Sequence, residues 1–148
     1  MKRFFVLLFT VFFSSVCFAQ SADYVTKILD SKESTYGQVS YLVSVYKNLV
    51  PETATEQEAV ESLVNSGLVK KNINAEKTIR ADEAAFLFAK IWKFDSSMMF
   101  KLSKGSARYA FKQFKADGIL PRNVNPGDIL SGEQVLNIFT LGTLKYGE

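Results

Sequence analysis

Two stretches of this 148-residue chain follow one pattern, and they decide its fold. Residues 61–88 read ESLVNSGLVKKNINAEKTIRADEAAFLF, and residues 112–139, which begin 51 positions later, read KQFKADGILPRNVNPGDILSGEQVLNIF. The two copies align without a gap and agree in their apolar positions. Identical residues occupy four aligned places: Gly67/Gly118, Asn72/Asn123, Asn74/Asn125 and Phe88/Phe139. A repeat of this size is typical of supersecondary units that stack on one another.

Each copy predicts a helix, a glycine stop, an extended loop and a second helix. In the first copy, Thr55 and Glu58 have the spacing of a capping box at the start of the first helix. Gly67 suits the left-handed position just after a helix end. The other helices of the two copies are expected over about residues 79–92, 106–116 and 130–144.

A shorter third copy precedes these two. Residues 34–38 align with residues 78–82 and 129–133, with a small residue in the fourth place and an acid or its amide in the fifth. A helix is expected from Tyr36 to Leu49, and a short helix from Asp23 to Leu29. This copy lacks the long loop of the other two.

These patterns predict an all-α fold, a compact bundle of about six helices formed by three helix-pair repeats. The bundle is expected to be a single domain over residues 20–148. Its repeat units cover about residues 22–50, 55–92 and 106–144.

The first 19 residues are predicted to be a signal peptide. Lys2 and Arg3 precede a mostly apolar run over residues 4–16, and Cys17 and Ala19 place small residues before a cleavage site. The run is too short to span a membrane, which requires about 20 apolar residues. The protein is therefore expected to be exported, and to be periplasmic or associated with the cell envelope. Lipidation at Cys17 is the alternative to cleavage after Ala19, and it would tether the domain through its amino terminus.

The composition of residues 20–148 excludes several function classes. Removing Lys2 and Arg3 leaves 16 basic residues against 15 acidic ones, a net charge of +1. That balance gives no electrostatic support for binding nucleic acid. This part of the chain has no cysteine and no histidine, which excludes disulfides, thiol and imidazole catalysis and the commonest zinc sites. No cofactor and no metal are therefore expected.

The helix pair with its glycine and its TIRADEAA segment resembles the S-layer homology domain. Residues 78–82 (Thr-Ile-Arg-Ala-Asp) are similar to the motif that opens the second helix of that family, and residues 129–133 match its apolar and acidic positions. The resemblance implies three repeats with quasi-threefold symmetry that bind acidic cell-wall polymers in the grooves between them. It also implies that a motif arginine contacts the acid, and Arg80 occupies that place, whereas the other copies have Tyr36 and Ser131.

The candidate ligand-binding residues are Arg80, Asp82, Asn72 and Asn123. Arg80 beside a helix N-terminus could bind an acidic group, or it could pair with Asp82 or Glu83. The asparagines could contact a glycan or only form turns.

A second set of candidates lies at and after the end of the second copy: Trp92, Met98, Met99 and Phe100. These side chains could form an exposed partner surface or cover the open side of the bundle.

The predicted function is non-enzymatic association with the cell envelope through a wall polymer or a peptidoglycan-linked glycan. The alternative is a periplasmic protein-interaction module, an accessory subunit of an envelope complex that has lost glycan binding. Catalysis would need a pair of carboxylates, such as Asp82/Glu83 or Asp117/Asp128, and the short loops leave little room for a cleft.

Overall fold

The computed structural model describes residues 22–70, 73–92 and 106–147. Within these residues the chain forms six α-helices, and its only β-type pairing is two isolated bridges. The helices are α1 (22–29), α2 (Tyr36–Tyr46), α3 (Glu56–Asn65), α4 (Ala81–Ile91), α5 (Ala107–Ala116) and α6 (Gly132–Tyr146). The prediction of an all-α bundle of about six helices is confirmed. No helix in the described parts of the chain combines the length and the apolar character needed to cross a membrane.

The first helices of the two long repeats end at glycine, as the sequence predicts. Gly67 has φ +72° and Gly118 has φ +74°, the left-handed conformation that glycine adopts without a steric penalty. The next amides turn back onto the helix, since the Leu68 N–H donates to Leu63 O at 3.0 Å and the Ile119 N–H donates to Phe114 O at 2.9 Å. These bonds satisfy carbonyl groups that the helix end leaves without partners.

The second helix of each long repeat begins two residues later than predicted. Arg80 and Ser131 are the N-cap residues of α4 and α6, so Ile79 and Leu130 precede the helices. Both apolar residues are fully buried, and their N–H groups donate to neighbouring repeats instead of joining the helix. At the other end, α2 stops at Tyr46 and not at Leu49.

The alignment predicted for the first repeat is wrong by one residue. The N-cap of α2 is Thr35, which therefore corresponds to Arg80 and Ser131, whereas the sequence alignment placed Tyr36 there. In each repeat the side chain three residues after the cap accepts a hydrogen bond from the N-cap N–H. The three acceptors are Gln38, Glu83 and Gln134, at 3.2, 3.1 and 2.9 Å.

The alignment error comes from Gly37, because its small size has a different cause from that of the residues aligned with it. A Cβ atom at this position would lie 2.8 Å from the Cβ of Glu56 and 3.0 Å from the carbonyl oxygen of Ala75. Gly37 is therefore small because α2 packs closely against the second repeat, and not because it matches Ala81 and Gly132 in the other copies.

The three repeats meet through a closed set of backbone hydrogen bonds, which we call the central triangle. The Ser34 N–H donates to Leu130 O at 2.7 Å, and the Ile79 N–H donates to Ser34 O at 2.9 Å. The Leu130 N–H completes the set by donating to Ile79 O at 3.5 Å. Each residue lies immediately before an N-cap, so the triangle joins equivalent positions of the three repeats in a cycle.

A second cycle of backbone bonds, which runs through the repeats in the opposite direction, satisfies the free amides at the start of each second helix. The Tyr36 N–H donates to Lys77 O at 2.8 Å, and the Ala81 N–H donates to Asp128 O at 2.9 Å. The Gly132 N–H closes the cycle by donating to Ser31 O at 2.9 Å. Helix N-termini leave such donors without intrahelical partners, and here the next repeat supplies the acceptor.

The core is built around Trp92, which is 2% exposed. Its indole stacks on Phe88 at 5.4 Å between ring centroids and lies 5.8 Å from Phe114. Gly142 of α6 faces this indole closely, because a Cβ atom there would lie 2.1 Å from the ring. Of the two alternatives for Trp92 the structure shows the core, so its assignment to an exposed partner surface is wrong. The other candidates for that surface, Met98, Met99 and Phe100, lie outside the described residues.

Candidate functional site

A groove of about 750 Å³ lies between the first and second repeats. Its walls come from α1, from the start of α3 and from the loop before α4. The charged, aromatic and exposed amide side chains that line it are Tyr24, Lys27, Glu56, Gln57, Asn74 and Glu76. It is a concave feature lined by polar and aromatic side chains, and we treat it as the candidate site.

Local structure places these residues on the walls of the groove. Tyr24 and Lys27 are three residues apart on α1 and therefore share one face of that helix. Thr55 caps α3, which makes Glu56 the first residue of the helix. In the opposite loop the Asn74 side-chain oxygen accepts a hydrogen bond from the Glu76 N–H at 2.9 Å, a turn geometry typical of asparagine.

Lys27 and Glu56 form an ion pair inside the groove. The Lys27 Nζ donates to Glu56 Oε1 at 2.8 Å, and Thr35 Oγ1 donates to Glu56 Oε2 at 3.4 Å. The Lys27 ammonium also lies 5.3 Å from the centroid of the Tyr24 ring, within cation–π distance. One cation therefore contacts both a carboxylate and an aromatic side chain.

Tyr24 is a neutral group at any physiological pH. Burial and the adjacent negative charge of Glu56 raise the pKa of its hydroxyl far above the ordinary value of tyrosine. Its ring packs against Tyr41 at 3.9 Å between centroids, which fixes this wall of the groove from behind.

The described residues that line the groove have a net negative charge. Lys27 is balanced by Glu56, whereas the exposed carboxylate of Glu76 makes no ion pair with any residue that the structure describes. An acidic ligand would add a further negative charge to a site that already has an excess of one. The arrangement therefore favours a neutral or a cationic ligand.

Arg80 does not line this groove. Its guanidinium binds Asp82 through two parallel hydrogen bonds, from Nε to Oδ1 and from Nη2 to Oδ2, both at 3.2 Å. Nε also lies 3.8 Å from Glu83 Oε2. Of the two sequence alternatives the structure shows pairing with neighbouring carboxylates, and their negative charges weaken the attraction of Arg80 for an acidic ligand.

None of the predicted ligand residues that the structure describes, which are Arg80, Asp82 and Asn123, lines the groove. Asn123 is exposed in the turn before Val124 and lies outside the groove, and so does Asp82. Asn72 lies outside the described residues. Asn125, which lies two residues after Asn123 in the same loop, forms a local hydrogen bond, since Asp128 Oδ2 accepts from the Asn125 N–H at 2.7 Å.

The carboxylates that could have served in catalysis are engaged in structural contacts. Asp82 binds Arg80, and Asp128 closes the turn at Asn125. Asp117 Oδ1 accepts from Lys145 Nζ at 2.9 Å, and its Oδ2 accepts from the Tyr146 hydroxyl. In the described part of the chain, no three Asp, Glu, Cys or His side chains are placed to hold a metal ion.

Most of the residues that line the groove were not predicted from the sequence. Asn74 stood out only as a residue common to both long repeats, and Tyr24, Lys27, Glu56 and Glu76 carried no motif. The available signal was the spacing of Tyr24 and Lys27, which are three residues apart on one face of a short predicted helix. Nothing in the sequence placed that face against residues almost 50 positions further along the chain.

Comparison of the chain with protein families, with curated proteins and with solved structures gives no match. The resemblance to the S-layer homology domain therefore stays a prediction from the sequence.

Proposed function

We propose that this protein is an exported, non-enzymatic domain that associates with the cell envelope by binding a wall glycan in the groove between its first two repeats. The groove is the observation that carries the proposal. The signal-peptide pattern of residues 1–19 and the resemblance to a wall-binding family support the same location.

The groove has the side chains that sugar recognition uses. Amides such as Asn74 and Gln57 both donate and accept hydrogen bonds, as sugar hydroxyls do. Tyr24 adds an aromatic surface to one wall, and aromatic side chains contribute apolar contact area with little loss of conformational entropy. A groove open to solvent can accept a segment of a long polymer, which a closed pocket cannot.

A solid-phase pull-down on purified sacculi tests the proposal. The wild-type protein is compared with the Asn74→Ala/Gln57→Ala double variant and with Asn137→Ala, an exposed asparagine on α6 outside the groove. We expect the sacculi to retain the wild type and Asn137→Ala equally, and to retain the groove variant about tenfold less, because one or two hydrogen bonds are lost. Equal retention of all three proteins would exclude the groove, and no retention of the wild type would exclude wall binding.

An Arg80→Ala arm in the same experiment tests the mechanism that the family resemblance implies. If Arg80 binds an acidic polymer, its removal lowers retention although the groove is intact. Our proposal predicts unchanged retention, because Arg80 does not line the groove.

One observation favours the second candidate function, a protein-interaction module of the envelope. Val25 and Leu29 are four residues apart on α1 and are 41% and 49% exposed. Two large apolar side chains on one exposed helical face are a feature of protein interfaces. Cross-linking in the native envelope, with wild type beside Val25→Ser/Leu29→Ser, tests this function, and loss of a specific cross-linked product in the variant would support it.

A further inference from the structure

The Lys27 ammonium occupies a cation site in the groove. Its two partners, the Glu56 carboxylate at 2.8 Å and the Tyr24 ring at 5.3 Å, belong to different helices. A carboxylate beside an aromatic face is the combination that recognises ammonium groups in ligands. The Lys27 side chain is 62% exposed, so it can leave the site by rotating into solvent.

The rest of the groove also suits a cation. Glu76 contributes a second carboxylate that no described cation neutralises, and it lies on the wall formed by the loop before α4. When Lys27 swings out, Glu56 and Glu76 are both available to a positive ligand. The site would then have two carboxylates and one aromatic ring.

We propose that this groove binds the primary ammonium group of an amino-sugar glycan, and that Lys27 competes with the ligand for the site. The inference rests on the proposed glycan function and specifies its ligand. An N-acetylated sugar lacks the charge and would leave Lys27 in place. A ligand must therefore bind the site more strongly than the Lys27 ammonium does, and removing Lys27 should strengthen ligand binding.

A second cluster of the same residue types provides a matched control. Lys77 pairs with Glu83 at 3.3 Å and lies 5.2 Å from the centroid of the Tyr36 ring. Its side chain is 58% exposed, close to the value for Lys27, but it does not line the groove. Lys77→Ala removes the same charge and the same contacts without vacating the proposed site.

Calorimetric titration with a glucosamine hexamer and with its fully N-acetylated counterpart tests the inference. We expect the glucosamine hexamer to bind the Lys27→Ala protein about three- to tenfold more tightly than the wild type, and Lys77→Ala to match the wild type. We expect Glu76→Gln to weaken binding by about two- to fivefold, since exposed charge pairs contribute at most about fivefold. Raising the salt concentration should reduce all of these differences.

The outcomes separate this inference from the proposed function. If both hexamers bind equally, or if Lys27→Ala weakens binding, the ammonium site is wrong and glycan binding stands. If neither hexamer binds while sacculi retain the protein, the inference is also overturned. If a short lysine-containing peptide binds and the glucosamine hexamer does not, the ammonium comes from a peptide and the amino-sugar assignment is wrong. If neither hexamers nor sacculi bind, both proposals fail.

Discussion

Replacing Gly132 by alanine tests whether α1 and α6 close the bundle as the structure shows. A Cβ atom on Gly132 would lie 1.5 Å from the carbonyl oxygen of Ile28 and 2.5 Å from its carbonyl carbon. Both are backbone atoms, so no side-chain rotation can relieve the overlap. An ordinary contact distance would require the two helices to separate by roughly 2 Å.

The expected loss of stability follows from what that separation breaks. The Gly132 N–H donates to Ser31 O at 2.9 Å, and the Ser34 N–H donates to Leu130 O at 2.7 Å. Each such bond contributes about 1 kcal/mol, and overpacking a rigid contact costs about 1–3 kcal/mol. The higher helix propensity of alanine returns about 1 kcal/mol. We therefore expect the free energy of unfolding to fall by about 2–4 kcal/mol.

Urea denaturation followed by circular dichroism measures this change, and Gly127→Ala is the control. A Cβ atom on Gly127 meets nothing within 4 Å, so that variant should stay within about 0.5 kcal/mol of the wild type. The melting temperature of Gly132→Ala should drop by on the order of 10 °C. The reasoning is refuted if Gly132→Ala is as stable as the wild type or more stable, because helix propensity alone would then account for the result.

Three further changes test the core and the carboxylate at the end of α5. Gly142→Ala should lower the free energy of unfolding by about 1–2 kcal/mol, because its Cβ would overlap the buried Trp92 indole. Urea denaturation measures this change, and a Gly142→Ala protein of unchanged stability would contradict the packing. Ser34→Ala should raise stability by about 1 kcal/mol, since this fully buried hydroxyl has no hydrogen-bond partner among the described residues; a loss of stability would show that the hydroxyl is satisfied. Burial by itself would raise the pKa of Asp117, but hydrogen bonds from Tyr146 and its neighbours outweigh this effect and hold the pKa below its usual value. The carboxylate therefore stabilises the fold at pH values above the unfolded-state pKa of about 4. That stabilisation is lost as the pH falls through the lower folded-state pKa. Asp117→Asn should therefore be less stable than the wild type at pH 7, and its stability should approach that of the wild type at pH 2. A stability difference that does not change with pH would exclude this linkage.

The fold was predictable where the signal was local. The glycine at the end of α3 and the Thr55 capping box lie within a few residues of the helix ends that they define, so short sequence patterns were sufficient. The buried positions of the second helices followed from helical spacing in the same way. The position of Ile79 outside α4 did not, because an apolar residue at a helix start fits the pattern equally well as part of the helix.

The candidate site was not predictable because its parts are distant in the sequence. Glu56 faces Lys27 only because α1 lies against the start of α3, and no local pattern specifies that contact. The error over Tyr36 has a related cause, since the small size of its neighbour reflects packing against another repeat. Arg80 shows a third limit, because a motif gives the residue but not the partner that its guanidinium selects.

Because backbone atoms join the repeats, the fold of this protein does not determine which ligand it binds. The central triangle uses only backbone atoms of Ser34, Ile79 and Leu130, so its bonds do not depend on the side chains at the adjacent N-caps. Thr35, Arg80 and Ser131 can therefore differ from one another within one architecture. It follows that an arginine at one cap is no evidence for a ligand, since the scaffold neither requires nor excludes it. Ligand chemistry must come from side chains that the scaffold does not use, and in the groove the candidates are the exposed side chains of Glu76 and Lys27.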